Sequence, residues 1–109
     1  MACINLVTRV RDLLADVSDV SEKKMFGSLA FMVRGKMCVT AREERLMCRI
    51  APALHQKSIK RKGCTTVVMR GRQYQGYVYI DADSVKSKQA LKSWIQLALS
   101  YNEELTCSD

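Results

Sequence analysis

A chain of 109 residues with 48% hydrophobic content has material for one modest core and not for two. Its apolar runs are only a few residues long, which excludes a membrane-spanning helix, and MACINLVTR lacks the cationic-then-apolar order of a secretory signal. Alanine rather than glycine after the initiator Met leaves no myristoylation signal, and a cytoplasmic location is expected. The net charge is +7, and it is uneven: Arg34 to Arg72 holds eleven Lys or Arg against Glu43 and Glu44, and the rest of the chain sums to −2. A basic middle on a near-neutral frame suits an acidic partner, either nucleic acid or an acidic protein surface.

The first element is a helix expected over Asn5 to Val17, where Val7, Val10, Leu14 and Val17 recur at helical spacing. The polar stretch Asp19 to Glu22 breaks that pattern. Three strands are expected next, at Lys24–Val33, Met37–Ala41 and Arg45–Ile50. Leu29, Phe31 and Val33 fall on one face of the first, Ala30 and Met32 on the other. Gly35 makes the first turn and Arg42-Glu43-Glu44 the second.

Pro52 suits the first position of a short helix running to about Ile59, because a helix start has an amide to spare. Lys60, Arg61 and Lys62 follow at its negative end, with Gly63 as a C-terminal cap. Strands Thr65–Met69 and Gly76–Ile80 flank a polar loop of Arg70, Gly71, Arg72 and Gln73. The last helix begins near Ser84 or Ser87 and runs to Leu105, with Leu91, Trp94, Ile95, Ala98 and Leu105 as its buried stripe. The expected fold is therefore α+β, a single domain in the order α-β(3)-α-β(2)-α with a mainly antiparallel five-stranded sheet covered on one face.

Three ordered blocks resemble the N-terminal domain of the TfoX/Sxy family. The first is Lys24, Met25, Phe26 and Gly27 with Leu29-Ala30-Phe31-Met32, then Gly35 and Met37-Cys38. Gly71-Arg72 with Gly76-Tyr77-Val78-Tyr79-Ile80-Asp81 is the second, and Leu91, Trp94-Ile95 and Ala98-Leu99 the third. The resemblance covers about Val17 to Leu105. It implies a fold like that of type III secretion chaperones and a link to natural competence, where founding members act as transcriptional coactivators beside the cyclic-AMP receptor protein. Founding members also carry a second, helical domain, and the present chain reads as the first domain standing alone. Gln73 stands where many relatives have proline. The family supplies no catalytic residues to carry over.

The residues themselves point the same way. Five cysteines (Cys3, Cys38, Cys48, Cys64, Cys107) form no C-x-x-C pair and read as reduced thiols, with no metal site and no cofactor expected. His55, the one histidine, reads as a packed or surface side chain, and Asp81 and Asp83 as caps for the helix that follows. No catalytic constellation is visible, so the chain is read as a non-enzyme.

The basic set Lys57, Lys60, Arg61, Lys62, Arg70 and Arg72 is the candidate for binding phosphates or acidic side chains. Tyr74, Tyr77 and Tyr79 lie close by in sequence, and Met25, Met32, Met37, Met47 and Met69 make the sheet rich in methionine. The expected activity is that of an interaction domain acting on a protein partner such as a transcription regulator, with a nucleic-acid-binding accessory role as the alternative. A homodimer is expected, because a small sheet has edges to cover.

Overall fold

The computed structural model describes residues 6–25 and 28–106. Helix α1 (Leu6–Leu13) leads into four strands: β1 (Val20–Met25), β2 (Ser28–Val33), β3 (Lys36–Ala41) and β4 (Arg45–Arg49). A 3₁₀ turn (Pro52–Leu54) runs into the single-turn helix α2 (His55–Ser58), then β5 (Cys64–Met69) and β6 (Arg72–Asp81). A second 3₁₀ turn (Ala82–Val85) precedes the long helix α3 (Lys88–Thr106). All pairings are antiparallel, in the order β1-β2-β3-β4-β6-β5.

The sheet thus has six strands where the sequence reading expects five. The expected single strand Lys24–Val33 is two, because β1 folds back on β2 with Met25 opposite Ser28; Phe26 and Gly27 of the motif lie outside the described residues. β1 escapes a reading by periodicity because VSEKKM shows no apolar alternation. It is an edge strand, and Ser21, Glu22, Lys23 and Lys24 are all exposed. A consecutive run of charges along an edge keeps other strands from pairing there.

Two hairpins share one device. Arg34-Gly35 and Arg70-Gly71 have φ values of 52° and 81°, and 52° and 75°, the double left-handed pair that a two-residue type I′ turn needs. The second corrects the expected four-residue loop: β6 begins already at Arg72, which pairs with Met69. A left-handed arginine is strained, and at Arg34 the surroundings hold it. Its Nη1 donates to Asn102 Oδ1 at 3.0 Å, while Asn102 Nδ2 donates to the Val33 carbonyl at 3.0 Å. Asn102, buried near the end of α3, so pins that end to the β2–β3 turn.

α1 is shorter than its apolar spacing suggests. The chain leaves the helix at Leu13 through tighter turns, in which Ala15 and Val17 donate to carbonyls three residues back. Asp16, Ser18 and Asp19 follow, side chains that compete with helix for backbone bonds. Arg9 on α1 reaches the loop before α3, where Nη2 donates to the Val85 carbonyl at 2.7 Å and the Lys86 carbonyl at 3.1 Å. α3 is capped by Ser87, whose Oγ accepts from the Ala90 N–H at 3.0 Å. Asp81 stands before the preceding 3₁₀ turn without a side-chain capping bond, so the expected carboxylate caps are replaced by this serine.

α3 crosses β3 and β4 and seals one face of the sheet, with α1 packed against both α3 and β3. Register puts Phe31, Val33, Val39, Leu46, Cys48, Val78 and Ile80 on that face, where they meet Leu91, Trp94, Ile95 and Ala98. The expected stripe of α3 is therefore its core contact, except that Leu105 is only half-buried. Among the described residues the opposite face carries no helix, and that asymmetry creates the candidate site.

Candidate interaction face

Side chains alternate along a strand, so away from the bulges the residue next to a core position belongs to the open face. Ala30, Thr40, Met47 and Tyr79 form one row across four strands, each paired with the next. Arg45 lies opposite Asp81 and Arg49 opposite Tyr77 on neighbouring positions. Around this row the face hollows into a trough of about 400 Å³, floored by Met37, Thr40 and Met47. Tyr74, Tyr77, Tyr79 and Met69 form one side of it, and Arg42 and Arg45 line it as well.

Two arginines of this face, Arg45 and Arg49, lie on tyrosines. The Arg45 guanidinium sits 3.9 Å from the Tyr79 ring centre, and Arg49 lies 5.5 Å from Tyr77 and 5.8 Å from Tyr101 at the end of α3. Tyr74 meets Tyr77 edge to face at 6.2 Å. Stacking satisfies the flat side of a guanidinium and leaves its in-plane N–H donors pointing outward, ready for a carboxylate or phosphate. The trough therefore joins adaptable thioethers, amphipathic rings and oriented cations, the residue types enriched in the buried centres of protein interfaces.

β6 bends to make room for this arrangement. Thr66 pairs with Val78 and Val68 with Gln73, so four residues of β6 stand against the single Val67. Gly76 lies within that bulge at φ 89°, and a Cβ there would come within 2.9 Å of the Ile50 carbonyl oxygen. Its N–H donates to His55 Nδ1 at 2.8 Å, and His55 Nε2 lies 3.0 Å from Thr66 Oγ1. With Nδ1 accepting, the ring proton belongs on Nε2, which donates to the hydroxyl. The histidine is 1% exposed and uses both nitrogens to lock α2 onto the β5–β6 hairpin. It is structural.

Among the described residues the cysteines Cys38, Cys48 and Cys64 are buried free thiols. Burial pushes the Cys38 thiol up to about 12 and the Cys64 thiol up to about 11. It raises Cys48 as well, whose Sγ donates to the Trp94 carbonyl at 3.9 Å. Among the described residues no group of three or more His, Cys, Asp or Glu is placed to hold a metal ion.

The basic candidates divide between two places. Arg70 and Arg72 sit on the tip of the β5–β6 hairpin, beside Met69 in the trough wall. Lys57 and Arg61 line a separate shallow groove between α2 and α3, with Ser93 and Leu97 opposite. Arg61 lies 4.0 Å over the Trp94 ring and donates to Ser93 Oγ at 3.4 Å, so its guanidinium lids the core. Lys60 and Lys62 are exposed in the turn that follows α2. Sequence density thus identified the cations but not the arginines that line the trough, Arg42 and Arg45. Strand parity would have found these, since they share the face of Met47 and Tyr79.

An antiparallel sheet with one face sealed by helices defines an α+β fold. The TfoX N-terminal domain model matches residues 12–101, and the chain belongs to that family. Two solved structures share the fold. Deinococcus radiodurans protein DR2400, which carries the DUF419 domain, has a TM-score of 0.69 at 12% identity, covering 92% of this chain and 79% of that one. A Pseudomonas syringae protein has a TM-score of 0.60 at 11% identity, with 87% and 96% covered. No curated protein matches the chain.

Proposed function

We propose that this chain is a non-enzymatic interaction domain of the competence-regulator type, acting in the cytoplasm on a protein partner such as a transcription regulator. The observation that carries the reading is the trough on the open face, where Met37, Met47 and Met69 meet three tyrosines and the stacked Arg45. Its chemistry suits an interface that adapts to an apolar surface bearing carboxylates. The reactive side chains support a non-enzymatic role, since His55 and the three buried thiols are engaged in holding the fold.

The test is a tagged pull-down from a competent host, with and without nuclease, comparing the protein with its Met47→Asp variant after circular dichroism confirms that both fold. A defined protein retained after nuclease and lost in the variant is the expected result. Recovery that vanishes with nuclease would move the assignment to nucleic acid. That second reading draws on the guanidinium planes of Arg45 and Arg49, on which bases stack as well as on rings. Mobility shifts across a salt series separate the two, because phosphate contacts weaken steeply as salt rises.

A further inference from the structure

The two ends of the sheet are built differently. β1 presents Glu22, Lys23 and Lys24 in succession, which blocks pairing, whereas Thr65 to Met69 of β5 carries no charge at all. Val68 is 51% exposed and Met69 47%, and with Leu54 they are the exposed large hydrophobic residues among those described. β5 is also β-branched along most of its length, the composition that favours sheet addition.

Cations bracket this neutral edge. Lys60, Arg61 and Lys62 precede β5, and Arg70 and Arg72 follow it. They decide which strand the edge accepts. In an antiparallel pairing of β5 with β5 of another copy, the end that carries Lys60 and Lys62 in each copy comes against the Arg70 turn of the other. Like charges directly opposite across a ladder destabilise it. An incoming strand with carboxylates at both ends meets the same positions with opposite charge, so one arrangement repels a second copy and attracts an acidic segment.

We propose that β5 is a receiving edge for an extended segment of a protein partner, which joins the sheet as a seventh strand. The segment has uncharged, β-branched residues opposite Thr65 to Met69 and Asp or Glu at both ends. Main-chain bonds supply the affinity and the flanking charges set the choice. The inference rests on the reading of the chain as a protein-binding domain. It is separable from the trough, because β5 pairing is main-chain chemistry at the sheet's end.

The test uses fluorescein-labelled nonapeptides: a Thr/Val-alternating five-residue centre with two Asp at each end, the same centre with Lys ends, and the Asp peptide N-methylated on alternate amides. Anisotropy should show the Asp peptide binding about tenfold or more tighter than the Lys peptide at low salt, with the gap closing at high salt. N-methylation should abolish binding, and Val68→Lys should weaken it while Lys92→Ser on α3 does not. Amide exchange should slow at Thr65 to Met69 when the Asp peptide is added. Equal binding of Asp and Lys peptides, unaffected binding after N-methylation, no binding of the Asp peptide, or protection elsewhere would each overturn the proposal. So would a dimer in light scattering of the protein alone with β5 amides already protected, which would make a second copy the occupant. If the Asp peptide fails while Met47→Asp still abolishes the pull-down, the edge proposal falls and the trough reading stands.

Discussion

Substituting Gly63 by alanine separates backbone strain from steric overlap, because the structure supplies both at one residue. Gly63 has φ 78°, and a Cβ there would stand 1.9 Å from Ser84 Oγ and 2.6 Å from Ser84 Cβ. The left-handed conformation alone costs an L residue ~1–2 kcal/mol. Forcing extra volume into a packed contact adds ~1–3 kcal/mol, since Ser84 Cβ cannot rotate away as its hydroxyl can. Gly35 supplies the reference: its φ is 81° but nothing lies within 4 Å, so Gly35→Ala should lose only the ~1–2 kcal/mol conformational term.

Removing the obstacle should rescue Gly63→Ala. The single change Ser84→Gly costs roughly 0.5–1 kcal/mol through backbone freedom in the unfolded chain. In Gly63→Ala with Ser84→Gly the overlap is gone, and the two should couple favourably by ~1–3 kcal/mol. Urea unfolding of the four proteins and of Gly35→Ala, followed by far-ultraviolet circular dichroism, measures every quantity in the cycle. Additive losses, or a Gly63→Ala loss no larger than that of Gly35→Ala, would refute the overlap argument.

Three further outcomes follow from the core and turns. Arg70→Asn should stabilise by a few tenths to ~1 kcal/mol, because asparagine tolerates the left-handed turn position, whereas Arg34→Asn should gain nothing, since it loses the bond to Asn102; thermal melts distinguish them. His55→Ala should cost ~2–4 kcal/mol by leaving the Gly76 N–H unpaired in a cavity, and His55→Asn less, since its amide oxygen can still accept near Nδ1; urea midpoints give the order. Cys38, Cys48 and Cys64 should resist iodoacetamide at pH 8 until urea is added, as peptide mass mapping would show, because their burial disfavours the thiolate. Two of these thiols, Cys38 and Cys64, make stability fall at high pH: the unfolded chain loses their protons near pH 8.5 while the fold holds them to about 12 and about 11. Between those limits each removes about 1.4 kcal/mol per pH unit.

Acidic pH acts through another pair. Arg11 holds Glu22 by two hydrogen bonds of 2.7 and 2.9 Å, which keeps the Glu22 carboxyl below its ordinary range. Its contribution is present at neutral pH and lost as pH falls through that lowered value. Both partners are substantially exposed, so solvent screens the pair and its effect on stability is small.

Composition and periodicity determined a good deal. Apolar spacing located α3 and its buried stripe, alternation assigned Leu29, Phe31 and Val33 to the core face, and Gly35 and Pro52 marked a turn and a helix start. These signals are local: a helix face, a strand face or a turn is written within a few neighbouring residues. β1 was missed because an edge strand bearing charge shows no such pattern, and its identity comes from pairing with β2. The tertiary structure alone decided that α1 and α3 cover the same side of the sheet, leaving Met47, Tyr79 and Arg45 together on the other. It likewise decided that His55, Gly76 and Thr66 form one lock and that Asn102 holds the Arg34 turn. Those groups meet across gaps of 11 to 68 residues, and hydrogen bonds between groups so far apart leave no periodic trace. Parity along a strand says which residues share a face. Only the packing of the helices says which face stays open.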